Sequence, residues 1–177
     1  PGVALLWLSP RAWEKAERCA SPSYYFDVAL HRRFLEKEEP ENPYTPPVSL
    51  LVSLDEALSL MADEGFSRRF EGRRRFAEAL VAGAAALGLA PFVFDASSRS
   101  AGVTALAVPG GRGVELQKAL RSLGIEAAGG QKALKGAVIR LAHYGDESWP
   151  ELALLLGGLY GAMKVIGLEG GGGFIEA

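Results

Sequence analysis

An arginine sits in the middle of an apolar run, Val138-Ile139-Arg140-Leu141-Ala142, and this is the most informative position among the 177 residues. In an extended strand Val138, Arg140 and Ala142 share one face, while Ile139 and Leu141 share the other. A guanidinium in such a setting needs an anion or an opening onto a cavity, because burying an unpaired charge is prohibitive. Its planar fork of donors suits bidentate capture of a carboxylate. The plain alternative is an edge-strand arginine that points to solvent or pairs with a structural glutamate. The pattern alone leaves both open.

A second candidate is the loop Asn42-Pro43-Tyr44-Thr45-Pro46-Pro47, which three prolines stiffen ahead of a helix start. A rigid loop that ends near helix-terminal N–H groups is a place where a threonine hydroxyl can meet a phosphate. Thr45 could equally be a local cap in a plain connection.

Other constellations fall away on spacing. Gly129-Gly130-Gln131 through Lys135-Gly136 lacks the Lys-Ser/Thr ending and the following helix of a phosphate loop. Gly110-Gly111-Arg112-Gly113 lacks the setting and the downstream acid of a dinucleotide fingerprint and reads as a turn. Arg68, Arg69, Arg73, Arg74 and Arg75 stand beside Glu64 and Glu71 without interleaved aromatics, so a solvated helix face is expected and nucleic acid is not. His31 and His143 have no partners at ligand spacing, so no metal site is expected. Cys19 is expected in a helix facing apolar neighbours, as core and not as nucleophile. No Ser/His/Asp elbow is present.

The elements that position these residues follow from pattern. Residues 3–8 are continuously apolar and predict a strand buried on both faces. Ser9 is a fitting N-cap, with Pro10 at the first helical position and a helix over 11–19. A helical segment is expected over 24–37, a loop over 38–47, and a helix over 48–64 that stops at Gly65. Leu50, Leu51, Leu54, Leu58 and Met61 recur at helical spacing and should face a core. The longest helical pattern covers 66–87 and ends at Gly88. Beyond it, strands are predicted at 91–94, 103–108 and 136–142, with helices at 113–123 and 149–166 and a frayed or partner-bound glycine tail at 170–173. Alternating strands and helices over the last ninety or so residues predict a small α/β sandwich with helices on one side of a sheet.

Composition sets the outer bounds. The chain is 49% hydrophobic and 23% charged, with net charge −2 and pI about 5.8, which suits a packed core and argues against a polyanion-binding surface. One cysteine permits no intramolecular disulfide and fits a reducing, cytoplasmic setting. The apolar stretch 152–163, interrupted by Lys164, falls short of the ~20 residues that cross a bilayer, and residues 3–8 are too short and lack a basic lead for a secretory signal. One asparagine (Asn42) and two glutamines hint at a thermophilic source. The abrupt start at Pro1 predicts that an upstream segment is missing.

Three motifs in order carry a more specific signal: Pro1-Gly2 leading into 3–9; Tyr44-Thr45-Pro46-Pro47-Val48-Ser49-Leu50; and Gly129-Gly130-Gln131, Leu134-Lys135-Gly136 and Ile139-Arg140-Leu141-Ala142-His143-Tyr144-Gly145. Together with the helix entry Gly65-Phe66-Ser67-Arg68-Arg69-Phe70, this order resembles the C-terminal half of class V aminotransferases, nearest to the alanine–glyoxylate and serine–glyoxylate (serine–pyruvate) branch. The resemblance implies a fold-type I enzyme that uses pyridoxal 5'-phosphate and works as a homodimer with active sites at the subunit interface. Residues 1–65 would then end the large cofactor-binding domain, 66–88 would form a bridging helix, and 89–177 the small α/β domain.

It also implies that the cofactor lysine lies a few residues before Pro1. The phosphate-binding Gly-Thr turn, the ring-stacking aromatic and the aspartate on the pyridine nitrogen would lie further upstream, so the segment alone should be inactive. Arg140 matches the arginine that binds the substrate α-carboxylate. Thr45 matches the threonine that reaches the cofactor phosphate of the neighbouring subunit, with Asn42 and Tyr44 beside it. Where some relatives carry a methionine after the arginine, this chain has Tyr144, which bears on substrate preference. The activity implied is transfer of an amino group from alanine, serine or aspartate to glyoxylate or pyruvate. The alternatives are a class V desulfurase or lyase, for which Cys19 is a poor fit, and a non-catalytic dimerisation or binding module of the same fold.

Overall fold

In the computed structural model, which describes residues 2–20, 23–145 and 148–168, side chains that accept backbone N–H groups start the first helices. Ser9 Oγ accepts from Ala12 N at 3.3 Å and Pro10 occupies the first turn, giving α1 (Pro10–Arg18). Asp27 does the same for Leu30 N at 3.1 Å and opens α2 (Val28–Leu35). Arg32 ties the two helices together through Glu17 at 3.0 Å and by lying 5.1 Å over the Trp13 ring. After the proline-rich loop come α3 (Val48–Glu64) and α4 (Phe66–Ala86), separated by Gly65 at φ +88°. Pro1 of the Pro1-Gly2 pair, Ser21, Pro22 and the glycine tail at 170–173 lie outside the described residues.

The chain divides into two units, Pro1–Asp63 and Glu64–Ala177. The first buries no described residue. Residues 3–8 form no strand, and Leu5, Leu6 and Trp7 are exposed, which corrects the expectation of a doubly buried strand. A strand is stable only when neighbouring strands satisfy its backbone and cover its faces, and none is present for it among the described residues. Likewise α3 matches its predicted bounds but buries nothing: Leu50, Leu51 and Leu58 are exposed instead of facing a core. Cys19 is exposed as the C-cap of α1, not packed in a helix against apolar neighbours.

The second unit has its own core. Its sheet is antiparallel, with β1 (Val103–Ala107), β2 (Ala128–Gly129) and β3 (Val138–Ala142) in the order β1-β3-β2, so the strand that carries Arg140 is central and not an edge. Helix α5 (Gly113–Ser122) precedes β2, and α6 (Trp149–Val165) follows β3. Leu106, Ile139 and Leu141 from the sheet pack with Phe76, Leu80 and Ala84 of α4, Leu116 and Leu120 of α5, and Leu152, Leu156, Leu159 and Met163 of α6. Each fully buried leucine or isoleucine contributes roughly 1.5–3 kcal/mol relative to exposure. Gly83 lets α6 come close, since a Cβ there would meet Leu156 Cδ1 at 2.5 Å.

Residues 91–94 are not a full strand: Pro91 bridges Leu106, and Phe92 N donates to the Ala105 carbonyl at 2.9 Å. Pro91 brings no N–H to a ladder, which limits the pairing. Arg74 and Arg75 form a solvated network, Arg74 with Glu71 and Glu78, and Arg75 with Glu71, whereas Arg69 and Arg73 are half-buried, Arg69 paired with Glu64 at 2.7 Å and Arg73 lying over the Phe76 ring. Among the described residues no helix is long and apolar enough to cross a membrane, and no cluster of His, Cys, Asp and Glu could hold a metal ion.

Candidate functional site

Strand alternation places Arg140 on the face opposite the helices. Ile139 and Leu141 are buried in the core cluster, whereas Arg140 is half-buried and Ala142 exposed. Val138, on the side of Arg140, is buried too but stands outside that cluster. The cross-strand partners of Arg140 are Ala105 on β1 and Ala128 on β2. Partners directly opposite share a face, so a methyl group flanks the guanidinium stem on each side and leaves it room.

One backbone carbonyl fixes the aim of the side chain. Arg140 Nε and Nη2 donate to the Gly129 carbonyl at 3.2 and 3.0 Å. The guanidinium has five N–H groups, so Nη1 and the second N–H of Nη2 remain. Among the described residues no carboxylate pairs with Arg140, which is neither stretched into solvent nor neutralised by a glutamate of its own chain. That donor set fits a carboxylate supplied from outside.

The far end of β3 is pinned at the core face. His143, 1% exposed, meets Thr104 Oγ1 through Nε2 at 2.9 Å, its N–H donates to the Gly102 carbonyl at 2.8 Å, and Phe76 lies against its ring at 5.3 Å. Tyr144 is exposed, with its ring seated on Gly102, where a Cβ would meet it at 2.7 Å. A cavity of about 580 Å³ lies beside β1, between Ala77 and Val81 of α4 and Val93, Arg99 and Ala101. Arg140 does not line it, although its partner Ala105 does.

The first unit holds the other three candidates in one loop. Thr45 and Asn42 are exposed, and their side chains bond to no described residue. Tyr44 is half-buried: its hydroxyl donates to the Tyr25 carbonyl at 3.0 Å and contacts His31 Nε2 at 2.6 Å, and its ring stacks on Tyr25 at 4.5 Å. Desolvation, followed by the nearby Tyr25 and Tyr24, raises the Tyr44 phenol above its usual value and keeps it neutral. Thr45 lies three residues before α3, whose seventeen residues give its N-terminal end a positive dipole suited to an anion. An exposed hydroxyl on a proline-stiffened loop at such an end fits a phosphate oxygen.

The sequence pattern did not reveal the carbonyl tether of Arg140 or the links from His31 and Tyr25 to Tyr44. Both depend on backbone groups or on residues with no motif spacing. Arg140 belongs to the second unit and the Asn42–Thr45 candidates to the first.

No protein-family profile matches the chain. The small subunit of a soluble hydrogenase of Synechococcus is 34% identical over 146 residues, covering 82% of this chain and 37% of that protein. An uncharacterized aminotransferase of Methanocaldococcus jannaschii is 33% identical over 176 residues, covering 96% and 44%. Among solved structures, pyridoxamine–pyruvate aminotransferase from Mesorhizobium loti aligns with a TM-score of 0.81 at 30% identity, covering 96% of this chain and 45% of that one. The chain spans less than half the length of these relatives. The hydrogenase name belongs to that relative. With one cysteine, this chain has no thiolate set of the kind that ligates an iron–sulfur cluster.

Proposed function

From a chain whose homologues and structural neighbours include class V aminotransferases of fold type I, matched over their C-terminal portion, we propose that the full-length protein is a pyridoxal-phosphate-dependent transaminase. It moves an amino group from a small amino acid, such as alanine, serine or aspartate, to glyoxylate or pyruvate. Residues 1–65 end the large domain, 66–88 bridge, and 89–177 form the small domain. The protein acts in the cytoplasm as a homodimer, with the catalytic lysine upstream of Pro1.

The observation that carries this reading is Arg140. A guanidinium in a central strand, flanked by alanines, aimed by a main-chain carbonyl and holding N–H groups in reserve, is built to grip an anion from outside the chain. By taking the α-carboxylate, Arg140 orients the amino acid so that the Cα–H bond to be broken is aligned for proton removal. Thr45 donates its hydroxyl to the cofactor phosphate of the neighbouring subunit, flanked by Asn42 and Tyr44. Pyridoxal phosphate, when bound, supplies the electron sink for charge left on Cα.

Truncating one partner of a desolvated charge pair costs about 2–5 kcal/mol. Arg140→Ala in the full-length protein is therefore expected to raise the KM for the amino donor by well over tenfold. An unchanged KM overturns the assignment.

A further inference from the structure

The hydroxyl of Tyr44 is fully engaged within its own chain, and the direction of its bonds follows from chemistry. A carbonyl only accepts, so the Tyr44 proton goes to the Tyr25 carbonyl, at 3.0 Å. The phenol oxygen is then left to accept, and His31 Nε2, 2.6 Å away, must carry its proton and donate it.

The aromatic rings close the arrangement. Tyr25 stacks on Tyr44 at 17°, His31 meets Tyr44 edge-on with centroids 5.1 Å apart, and Tyr24 lies 6.3 Å away while its hydroxyl donates to the Pro43 carbonyl at 2.7 Å. The two residues just before Thr45 are thus each held by side chains or backbone from residues 24–31, and Pro46 fixes φ just after it. Thr45 is the one residue of 43–46 left with an exposed, unengaged side-chain donor.

We infer that His31, Tyr44 and Tyr24 are positioning residues that hold the Thr45 hydroxyl in place for a phosphate, and that Tyr44 does not itself touch the cofactor. This rests on the proposed reading of Thr45 as a phosphate contact. A network that sets one hydroxyl should affect recognition of the phosphate and leave recognition of the pyridine ring alone.

The test is equilibrium titration of the full-length apoprotein with pyridoxal phosphate and, separately, with pyridoxal, which lacks the phosphate. Tyr44→Phe keeps the ring stack and removes only the hydroxyl. Loss of a hydrogen bond of ordinary strength predicts about three- to tenfold weaker pyridoxal phosphate binding and unchanged pyridoxal binding. His31→Leu should give the same selective loss, and His31→Gln, which keeps a donor, should recover part of it. In a Thr45→Ala background Tyr44→Phe should add little, because the two act through one hydroxyl. Equal losses for both ligands, full additivity, or no effect of Tyr44→Phe and His31→Leu beside a phosphate-specific loss in Thr45→Ala overturns the inference alone. No phosphate-specific loss in Thr45→Ala sinks the reading of Thr45, and the inference with it.

Discussion

Helices α3 and α6 are each seventeen residues long and both are rich in leucine, yet α6 buries Leu152, Leu156, Leu159, Ala162 and Met163 while α3 buries nothing. The contrast extends to the two units. Among the described residues every buried hydrophobic one lies at or beyond Phe76. Before it, Trp7, Phe26, Val52 and Leu60 are 61–87% exposed. An apolar stripe records that a surface must be covered, and it does not record by what. In the second unit the covering elements lie in the same hundred residues, so the stripe of α6 meets α4, α5 and the sheet. In the first unit the same sequence signal finds no partner among the described residues.

The largest expected effect tests this contrast directly. In the 177-residue chain Leu80→Ala or Leu159→Ala, both fully buried, should lower stability by about 2–5 kcal/mol in urea unfolding, whereas Leu60→Ala in α3 should change it by no more than about 0.5 kcal/mol. Comparable losses at Leu60 and Leu80 would break the comparison. Limited proteolysis sharpens it: first cuts are expected within residues 2–63, and early cuts within α4, α5 or α6 would contradict the assignment of a single core.

A smaller effect is expected at the start of α6. Ser148 donates from its backbone N–H and its Oγ to the Glu151 carboxylate at 2.6 and 2.9 Å. Ser148→Ala should cost about 1 kcal/mol, read as a lowered melting temperature with an unchanged spectrum.

The smallest effect concerns pH. Glu71 is held below the usual carboxylate range by hydrogen bonds from Arg74 and Arg75, Asp95 by the side chain and backbone of Ser97 and by Ser98, and Glu151 by Ser148. Their depressed folded values mean that the stability they add is present above the unfolded carboxylate value of about 4 and is lost as pH falls through the folded values. Tyr44 is shifted the other way. Its contribution is present below the ordinary tyrosine value of about 10 and is lost as pH rises through its raised value. Acid titration followed by thermal melts should therefore report on residues 64–168, and alkaline titration on the 42–47 loop. The three carboxylates lie at the surface, so added salt should shrink the acid effect. An acid limb confined to the first unit would reverse the comparison.

Most of the elements were legible because their causes are local. Ser9-Pro10, Gly65 and Gly88 start or stop helices through their own chemistry, and alternation around Arg140 puts Ile139 and Leu141 in the core. What was illegible depends on distant partners. Residues 3–8 read as a strand because their side chains are apolar, but a strand is a property of a pair. The two-residue β2 has no periodicity to detect, and the bond from His31 to Tyr44 joins residues thirteen apart with no motif between them. Arg140 itself was legible as a charge out of place, and its central rather than edge position became visible only with the strand order.

The bond from Arg140 to the Gly129 carbonyl has a consequence for how this protein tolerates change. An oxygen of the main chain is present whatever residue is encoded at position 129, so the orientation of the guanidinium does not depend on preserving an acceptor side chain there. What must be preserved is smallness. A methyl at 129 would fall 2.7 Å from Gln117 Oε1, on the side chain whose Nε2 donates to the Ala127 carbonyl and secures β2 to α5. Substitutions there would reach the anion site indirectly, by loosening the short strand from which the arginine takes its bearing.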